Sequence, residues 1–509
     1  MIISLVIRNQ TGNLKYKLLA SLPGCLMLFL LFSCSVSKNV VNRKYPPAQL
    51  KKDFQIFRGA LEESHPSLYW FTPKDSMDLI FNAGYSGIQD SLTEREFRTR
   101  LLKVVAAMRC GHTSVSYSKK YSRYLDTADL KLFPLLFKVL DDTLVITRNL
   151  NEKDDVLSRG TVVTSINGRS AASLIDTLID YTTGDGYSKT GRLQSLSSWG
   201  NFGVLYRNVI GLPDSFNIGY VDNQGYAREK LIPVFKPVSD SSNSDTLKPE
   251  KYTARERRNL RSLSTRSLQV DTLLKSGYMS LNTFARGNGL KKFFHRSFRT
   301  MDHFGLKYLV IDLRSNSGGD ASNSTLLTQY LTDHPFRIAD SLYTIKRTTR
   351  YRDYVPFQPI YWLMMKAVTK KRADGKFHFG YFERHKFKPK TAHHFNGQIY
   401  LLTGGNSFSA TTLLVRELKG QKNLTIVGEE TGGGGYGNTA WIIPELTLPN
   451  TKLRVGIPKF RLVMKKDLVH AGRGVFPDIE VSPTPNDIRE GRDVKVEKVR
   501  ELILMQHYN

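Results

Sequence analysis

Strand-type and helix-type segments alternate through the C-terminal half of the chain, and this alternation restricts the fold more than any other feature. Four apolar runs, SGYMSLNTF, LKYLVIDLR, NGQIYLLTGG and NLTIVGEE, are typical of buried strands. Helical segments such as NGLKKFFHRSFRTMDHF and SATTLLVREL lie between them. Strands that alternate with helices form a mostly parallel sheet with covered faces. The sequence therefore predicts an α/β core at residues 272–485.

The chain has 509 residues, which is too long for one ordinary core and predicts several domains. Residues 47–120 are predicted to form a helical domain. Apolar side chains recur there at intervals of three to four residues: Leu50, Phe54, Phe57 and Leu61. The polar residues 239–271 predict a linker or insertion, and residues 486–509 a C-terminal tail.

A different pattern covers residues 125–238. FPLLFKVLDDTLVITRNL predicts two strands joined by an Asp-Asp turn. GTVVTSINGRSAASLIDTLI predicts a strand, the turn Asn167-Gly168 and a helix. This order, with SINGRS after LSRG, resembles a PDZ domain. Since PDZ domains accept extended peptides at a sheet edge, the resemblance implies a peptide-binding module.

The net charge of +28 needs an explanation, because positive charge can indicate nucleic acid or a membrane surface. Lys and Arg are spread over most of the chain, and no recognised nucleic-acid module is present. Nucleic acid is therefore not predicted as a partner. The densest basic run, residues 366–390, predicts either a solvated surface insertion or a contact with an anionic envelope surface.

The N-terminus predicts export. Lys15 and Lys17 precede an apolar segment that ends near Phe32, which is typical of a secretory signal rather than of a membrane span. The segment ends in LFSC, which resembles the lipobox of bacterial lipoproteins. Residues 1–33 would then be a signal peptide and Cys34 the lipidated residue, although cleavage elsewhere or a retained anchor are alternatives. This implies a lipoprotein of the cell envelope, on the outer membrane or facing the periplasm and held by its lipid.

The cysteines, and the histidines other than His112, suggest no further chemistry. After cleavage at Cys34 the one remaining thiol is Cys110, so no disulfide framework is predicted, and Cys110 is expected to be a small core residue. His385, His393 and His394 have no recognised ligand spacing with carboxylates. Neither a metal nor a cofactor is predicted.

Ser409 is the strongest candidate for a reactive side chain. In LLTGGNSFSATTLLVRELKG it lies where a strand meets a helix, so its hydroxyl is expected to be exposed near the positive end of the helix. The small neighbours Ser407 and Ala410 would let a substrate approach. Taken alone, a serine at this position is more often a helix N-cap, and companion motifs are needed to decide.

Four motifs in three regions, one of which contains Ser409, supply that context. CGHTSVSY at 110–117, LVIDLRSNSGGDAS at 309–322, and GGNSFSATTLLVREL at 404–418 followed by TIVGEETGGG occur in this order around the PDZ-like segment. Together they resemble the tail-specific (C-terminal-processing) serine peptidases, from about residue 50 to residue 485. The resemblance implies a multidomain α/β protein with a crotonase-like core that hydrolyses polypeptides through an acyl-enzyme on Ser409. It also implies an oxyanion hole built from the N–H groups of Ala410 and of Gly318, with Gly319 as the alternative to Gly318.

The proton acceptor departs from the best-known members of that family. Those use lysine within a VGExTFGKG segment, whereas this chain has VGEETGGGG, with Gly434 at the position of the lysine. The tricorn-like branch uses a histidine from the N-terminal motif, which here is His112. Its ordinary pKa, near 6.5, suits a base at neutral pH.

An orienting carboxylate is expected beside that histidine. In tricorn-like members a glutamate precedes the GV-PD segment, and this chain has KKDLVHAGRGVFPD there instead. Asp467 is the nearest carboxylate, and Glu429 and Glu430 are alternatives.

Two other functions compete with a peptidase. Members of the superfamily without peptidase activity exist, the retinoid-binding eye proteins among them, so an inactive peptide- or ligand-binding protein is the main alternative. Acyl-CoA chemistry on a crotonase-type sheet is the second, and the export signal disfavours it because CoA esters are cytosolic. The glycines of SNSGGDAS match neither the dinucleotide-binding nor the P-loop pattern.

Overall fold

The computed structural model describes residues 39–237, 252–356, 358–464 and 472–508. The predicted signal peptide and Cys34, part of the predicted linker, and Asp467 lie outside these ranges. Among the described residues, no helix has the length and apolar content needed to cross a membrane.

The first part of the chain is mainly helical, as its spacing predicts. The elements are α1 Asn39–Asn42, β1 Lys44–Tyr45, α2 Pro47–Ser64, α3 Lys74–Ser86, β2 Leu92–Thr93, α4 Glu94–Ala107, β3 Ser114–Ser116 and α5 Lys119–Thr127. The four apolar residues of α2 at positions 50, 54, 57 and 61 are buried against α3 and α4. A capping box starts α4, since Thr93 Oγ1 accepts the N–H of Glu96 and the Glu96 carboxylate accepts the N–H of Thr93.

An antiparallel sheet with three helices follows. Its elements are β4 Leu135–Leu140, β5 Thr143–Asn149, β6 Val162–Ile166, β7 Arg169–Ser170, α6 Ala171–Ile179, α7 Thr190–Ser197, α8 Asn201–Val209, β8 Ser215–Val221 and β9 Ala227–Pro233. The strand order is β4-β5-β6-β8-β9, with β7 paired to β6. Both predicted strands at 135–149 are present, and the turn at Asn167-Gly168 has the positive φ values, 50° and 74°, that such a turn requires. The resemblance of residues 125–238 to a PDZ domain stays a prediction.

The remaining residues form the predicted α/β core and two smaller sheets. Its elements up to residue 384 are α9 Ala254–Thr265, β10 Arg266–Asp271, β11 Ser276–Leu281, α10 Leu290–His303, β12 Tyr308–Asp312, α11 Ala321–Leu331, β13 Ser341–Thr344, a 3₁₀ turn Arg352–Tyr354, α12 Gln358–Val368, β14 Lys370–Lys371, β15 Phe377–His378 and α13 Gly380–Arg384. The later elements are β16 Gln398–Thr403, α14 Ala410–Leu418, β17 Leu424–Gly428, β18 Gly437–Ala440, β19 Glu445–Thr447, β20 Arg454–Gly456, β21 Phe460–Val463, β22 Ile479–Glu480, α15 Pro485–Glu490 and α16 Val494–Tyr508.

The main sheet of this core has the order β10-β11-β12-β16-β17-β22. All neighbours from β11 to β22 are parallel, and only β10 is antiparallel, at the edge. Helices α10, α11 and α14 cover one face, where their buried side chains meet those of the strands. Helix α16 covers the other face through Val499 and Ile503, which pack on Val310 and Tyr400. A parallel sheet covered on both faces is what the alternating pattern predicts.

Two predicted boundaries are wrong. Residues 254–271 of the predicted linker form α9 and β10, because Thr253 and Glu256 make a second capping box and β10 pairs along its whole length with β11. The predicted tail after residue 486 is largely α16, which packs on the sheet and contributes the buried Lys495 to an ion pair with Glu429. The core therefore begins before residue 272 and continues beyond residue 485.

The two smaller sheets connect the N-terminal helices and the basic stretch to the core. Strand β3 pairs with β20, so the turn at residues 110–113 is held against the C-terminal half. Strands β14 and β15 extend a five-stranded sheet with β13, β21 and β18. Residues 366–390 are therefore not simply a solvated insertion, since His378 and Glu383 within them are buried and hydrogen-bonded to each other at 2.7 Å.

Candidate active site

The two predicted core loops come from neighbouring parallel strands. The loop with Gly318 and Gly319 follows β12, and Ser409 lies in the loop between β16 and α14. Because β12 and β16 are parallel neighbours, their carboxyl ends lie at the same edge of the sheet, which is where open α/β sheets place their sites.

Ser409 has an unusual backbone conformation. Its φ of 56° and ψ of −121° are rare for a residue with a side chain, and such strain is often retained at functional sites. Buried Ser407 stabilises the loop, since its Oγ donates to the Leu313 carbonyl at 2.9 Å and accepts the Gly404 N–H at 3.2 Å. The Ser409 side chain makes no N-cap hydrogen bond to α14. Its hydroxyl is therefore available for another partner, and N-capping does not explain this serine.

That partner is His112. The residue lies in the turn between α4 and β3, 297 positions before Ser409 in the chain, and its Nε2 is 3.0 Å from Ser409 Oγ. The imidazole packs on the ring of Phe408, with centroids 4.7 Å apart. The structure thus brings together the two side chains that the motifs single out, and Phe408, which sequence reasoning missed, supports the imidazole.

The other side of the imidazole is enclosed. Nδ1 of His112 is buried and has no hydrogen-bond partner among the described residues. Burial lowers the pKa of His112 to about 4, well below its ordinary value, because the charged imidazolium loses its solvation. A neutral imidazole can accept a proton from a hydroxyl, so the pair has the protonation state that base catalysis needs.

Neither alternative carboxylate contacts His112. Glu429 pairs with Lys495, and Glu430 accepts from Arg473 at 2.7 Å and from the Gly474 N–H at 2.6 Å. Asp467 lies outside the described residues, so its predicted orienting role stays a prediction. The carboxylate that the structure does place beside this turn is Asp185, whose Oδ1 accepts the Gly111 N–H at 2.8 Å.

Sequence reasoning missed Asp185. It lies between α6 and α7, in a region assigned to peptide binding rather than to the reaction. The triplet Gly184-Asp185-Gly186 is a signal that could have been used, since a carboxylate between two glycines suggests a tight turn with backbone acceptors.

The oxyanion donors are only partly free. Ala410 is the first residue of α14, where N–H groups have no partner within the helix. Gly318 has a φ of 100° and lies against the serine, with its N–H donated to Asn316 Oδ1 at 3.0 Å. The predicted donor Gly318 is therefore already hydrogen-bonded, whereas the alternative, Gly319, is exposed at the same edge.

Gly434 leaves no room for a base. A Cβ on this buried glycine would overlap the ring of Tyr436 and lie 2.8 Å from the Gly437 carbonyl. A lysine at this position would therefore displace its neighbours. Buried Cys110 is also unsuited to reaction, because burial raises the pKa of its thiol to about 11. Within the described ranges no group of three or more His, Cys, Asp or Glu side chains could hold a metal ion.

A serine hydroxyl held against a neutral imidazole at the carboxyl edge of a parallel sheet can attack a carbonyl carbon. The class of protein that this arrangement and the fold define is a serine-type peptidase, a hydrolase acting on polypeptides. Residues 275–481 match the model of peptidase family S41.

Solved structures agree with the fold. Mature CPAF superposes with a TM-score of 0.62 at 14% identity, over 91% of this chain and 98% of that chain. CPAF complexed with lactacystin gives 0.59 at 14% identity, over 91% and 99%. The photosystem II D1 C-terminal processing protease gives 0.38 at 14% identity, over 86% and 93%. A search of curated proteins gives no match. At these identities the CPAF likeness shows a shared multidomain α/β fold.

Proposed function

We propose that this protein is an exported peptidase that cleaves peptide bonds through an acyl-enzyme on Ser409, with His112 as the general base. The observation that carries the proposal is the 3.0 Å contact between His112 Nε2 and Ser409 Oγ, made by a serine in a strained strand-to-helix turn. Such a contact is the geometric requirement for activating a serine nucleophile.

The reaction then follows the order that the geometry allows. His112 takes the Ser409 proton as Oγ bonds to the carbonyl carbon of the substrate, and the resulting imidazolium returns the proton to the leaving amine. In the second step the same imidazole takes a proton from a water molecule as the water oxygen bonds to the acyl carbon. The imidazolium then returns a proton to Ser409 Oγ as the acyl group leaves, which restores both residues. No other titratable side chain of the described residues is hydrogen-bonded to Ser409 Oγ.

The negative oxygen of the intermediate needs N–H donors. Ala410 N–H supplies one, and the Gly318-Gly319 pair supplies the other. Gly318 N–H serves if the oxyanion displaces Asn316 Oδ1, and Gly319 N–H serves if that hydrogen bond persists. Each donor of this kind contributes about 3–4 kcal/mol to the lowering of the barrier.

Asp467 completes the proposal as the orienting carboxylate. A carboxylate at the enclosed Nδ1 would fix the orientation and tautomer of the imidazole during attack. Glu429 and Glu430 are occupied by Lys495 and Arg473, which leaves Asp467 as the candidate from the sequence.

The direct test is covalent labelling of Ser409. A fluorophosphonate probe is expected to label the full-length wild type at one site and to leave Ser409→Ala unlabelled, because the probe reacts with activated serines. Lactacystin, which is present in a structure of CPAF, is expected to compete with the probe. A wild type that stays unlabelled would refute the acyl-enzyme on Ser409, whether or not it hydrolyses a general protein substrate such as casein.

We also propose that the protein is a lipoprotein of the cell envelope, acylated at Cys34, either on the outer membrane or facing the periplasm. The LFSC segment after an apolar stretch supports this. The native protein is expected to enter the detergent phase of a Triton X-114 extraction, and Cys34→Ala to move to the aqueous phase. Cys110→Ala is the matched control, since Cys110 is buried and should not affect partitioning. An aqueous wild type would contradict the lipobox.

A further inference from the structure

One loop outside the core is hydrogen-bonded both to the turn that carries His112 and to the C-terminal half of the chain. Residues 182–188, called here the 182–188 loop, connect α6 to α7. Its backbone is tied to its surroundings, since Gly186 N–H donates to the Arg109 carbonyl at 2.9 Å and Tyr187 N–H to the Gly472 carbonyl at 2.7 Å. The loop is therefore fixed both to the turn that carries His112 and to the C-terminal half of the chain.

Asp185 is the central residue of this loop. It is only 2% exposed, and its carboxylate accepts two backbone N–H groups from different parts of the chain. Oδ1 accepts from Gly111 at 2.8 Å, and Oδ2 accepts from Gly434 at 3.4 Å. Among the described residues it forms no ion pair, so a buried carboxylate is retained here without a cation, which costs stability. Retention of such a group needs an explanation in function.

The two glycines that Asp185 contacts lie beside the two reacting side chains. Gly111 directly precedes His112 in the chain. Gly434 follows Gly433, and a Cβ built on Gly433 would lie only 3.0 Å from the backbone nitrogen of Ser409. A single carboxylate thus links the backbone that carries the imidazole to the glycine turn that packs on the serine.

We propose that Asp185 is a positioning residue, which holds His112 and Ser409 in register through its hydrogen bonds to Gly111 and Gly434. It does not touch the reacting atoms and acts only through the backbone. The proposal rests on the proposed roles of Ser409 and His112. It implies that the ionised carboxylate is the active form, because a protonated carboxyl would turn one of its two acceptors into a donor.

Asp185 changes its protonation state within the pH range in which the labelling rate can be measured. Burial raises the pKa of its carboxyl to about 6, although the N–H groups of Gly111 and Gly434 oppose that rise. The titratable groups that face it are Cys110 and Tyr436, both neutral at this pH because burial raises their pKa values, and Arg109, which lines the same small cavity. Burial also keeps the pKa of His112 lower, at about 4. On acidification Asp185 therefore takes up its proton before His112 does.

Asp185→Asn tests this directly. The amide keeps the shape but accepts through one oxygen only, so one of the two N–H groups loses its acceptor. Fluorophosphonate labelling at pH 7.5 is expected to slow by about 10- to 100-fold, since misplacement of reacting groups by about 1 Å has effects of that size. In a peptide assay the loss should lie mainly in kcat. On acidification, the labelling rate of the wild type should decrease as the pH passes below 6. In the variant this decrease, called here the acid limb, should instead occur near pH 4.

Thermal stability separates positioning from simple support of the fold. A carboxyl with a raised folded-state pKa gives stability that is complete below its unfolded pKa and is lost as the pH rises through about 6. At pH 7.5 the buried charge is therefore unfavourable, and the Tm of Asp185→Asn should be no lower than that of the wild type. Asp176→Asn, at an exposed position on α6, is the matched control. It should change neither the labelling rate at pH 7.5 nor the pH of the acid limb.

A limb that stays in place in Asp185→Asn, or a labelling rate equal to that of the wild type, would overturn the proposal while leaving Ser409 as the nucleophile. An unlabelled wild type would instead refute the proposed function. Hydrogen exchange of the wild type does not depend on the variant folding. After correction for intrinsic rates, amide protection at Gly111 and Gly434 should rise between pH 5 and pH 7 with a midpoint near 6, and flat protection would count against Asp185.

Discussion

His112→Ala is expected to lower kcat/KM by about 10⁴- to 10⁶-fold, close to the loss caused by Ser409→Ala. The reason is the 3.0 Å contact, because without the imidazole no side chain in the described part of the chain is hydrogen-bonded to the serine hydroxyl and able to take its proton. The two residues act as a unit, so the double variant should be no less active than either single variant. The measurement is steady-state hydrolysis of an unfolded protein substrate by the two single variants and the double variant. The active sites of the wild type are counted by probe labelling.

A buried histidine away from this site provides the control. His378 is 6% exposed, lies in β15 of a different sheet, and donates from Nδ1 to the Glu383 carboxylate at 2.7 Å. His378→Ala should lower Tm but keep the activity of each folded molecule. Near-full activity of His112→Ala would exclude His112 as the base and return attention to a lysine. Equal, very low activity of the wild type and every variant would favour the inactive binding protein.

The contact between Ser409 and His112 could be predicted from the sequence because the motifs that hold them occur in the order of the family that they resemble. Ser409 and His112 are 297 residues apart, and no local pattern relates them. Their pairing follows from four motifs in family order, together with a glycine at position 434 where a lysine would otherwise serve. The parallel sheet was predictable for a simpler reason, since its strands are short apolar runs separated by helices.

Features that depend on burial could not be predicted. Histidine's ordinary pKa was expected for His112, but enclosure of its ring shifts the pKa to about 4. Asp185 escaped notice because its importance comes from Gly111 and Gly434, which lie far from it in the chain. The motif predicts Gly318 as a free donor, but its N–H donates to Asn316 Oδ1, and the motif does not encode the direction of the Asn316 side chain.

The two wrong boundaries have local causes. None of the α9 side chains whose exposure the structure describes is buried, so the hydrophobic pattern that marks most helices is missing. The Thr253–Glu256 capping box is the signal that indicates this helix. In α16 the packed residues Val499 and Ile503 are four apart and did carry the pattern. At residues 254–271 the polar composition favours a linker, against the capping signal. In α16 the position near residue 509 favours a tail, against the apolar spacing.

Gly318→Ala is expected to lower kcat/KM by about 10²- to 10³-fold, whichever glycine donates to the oxyanion. A Cβ at this position would lie 2.8 Å from both the Phe408 carbonyl and the Ser409 Cβ, and 3.0 Å from the Ala410 nitrogen. To relieve that overlap, the Ser409 turn has to move away from β12. The movement would disturb the nucleophile and the Ala410 donor together, so kcat should fall far more than KM changes, and labelling by the fluorophosphonate should slow in parallel.

Gly287→Ala separates this overlap from backbone strain. Gly287 also has a positive φ, 85° against 100° for Gly318, but a Cβ there meets nothing within 4 Å. Both variants put alanine into a conformation that favours glycine, so both should lose Tm, each by an amount that corresponds to about 1 kcal/mol or more of unfolding free energy. Only Gly318→Ala should lose kcat. Equal activities of the two variants would mean that the Gly318 loop does not press on Ser409, and the oxyanion hole would then have to be sought away from β12.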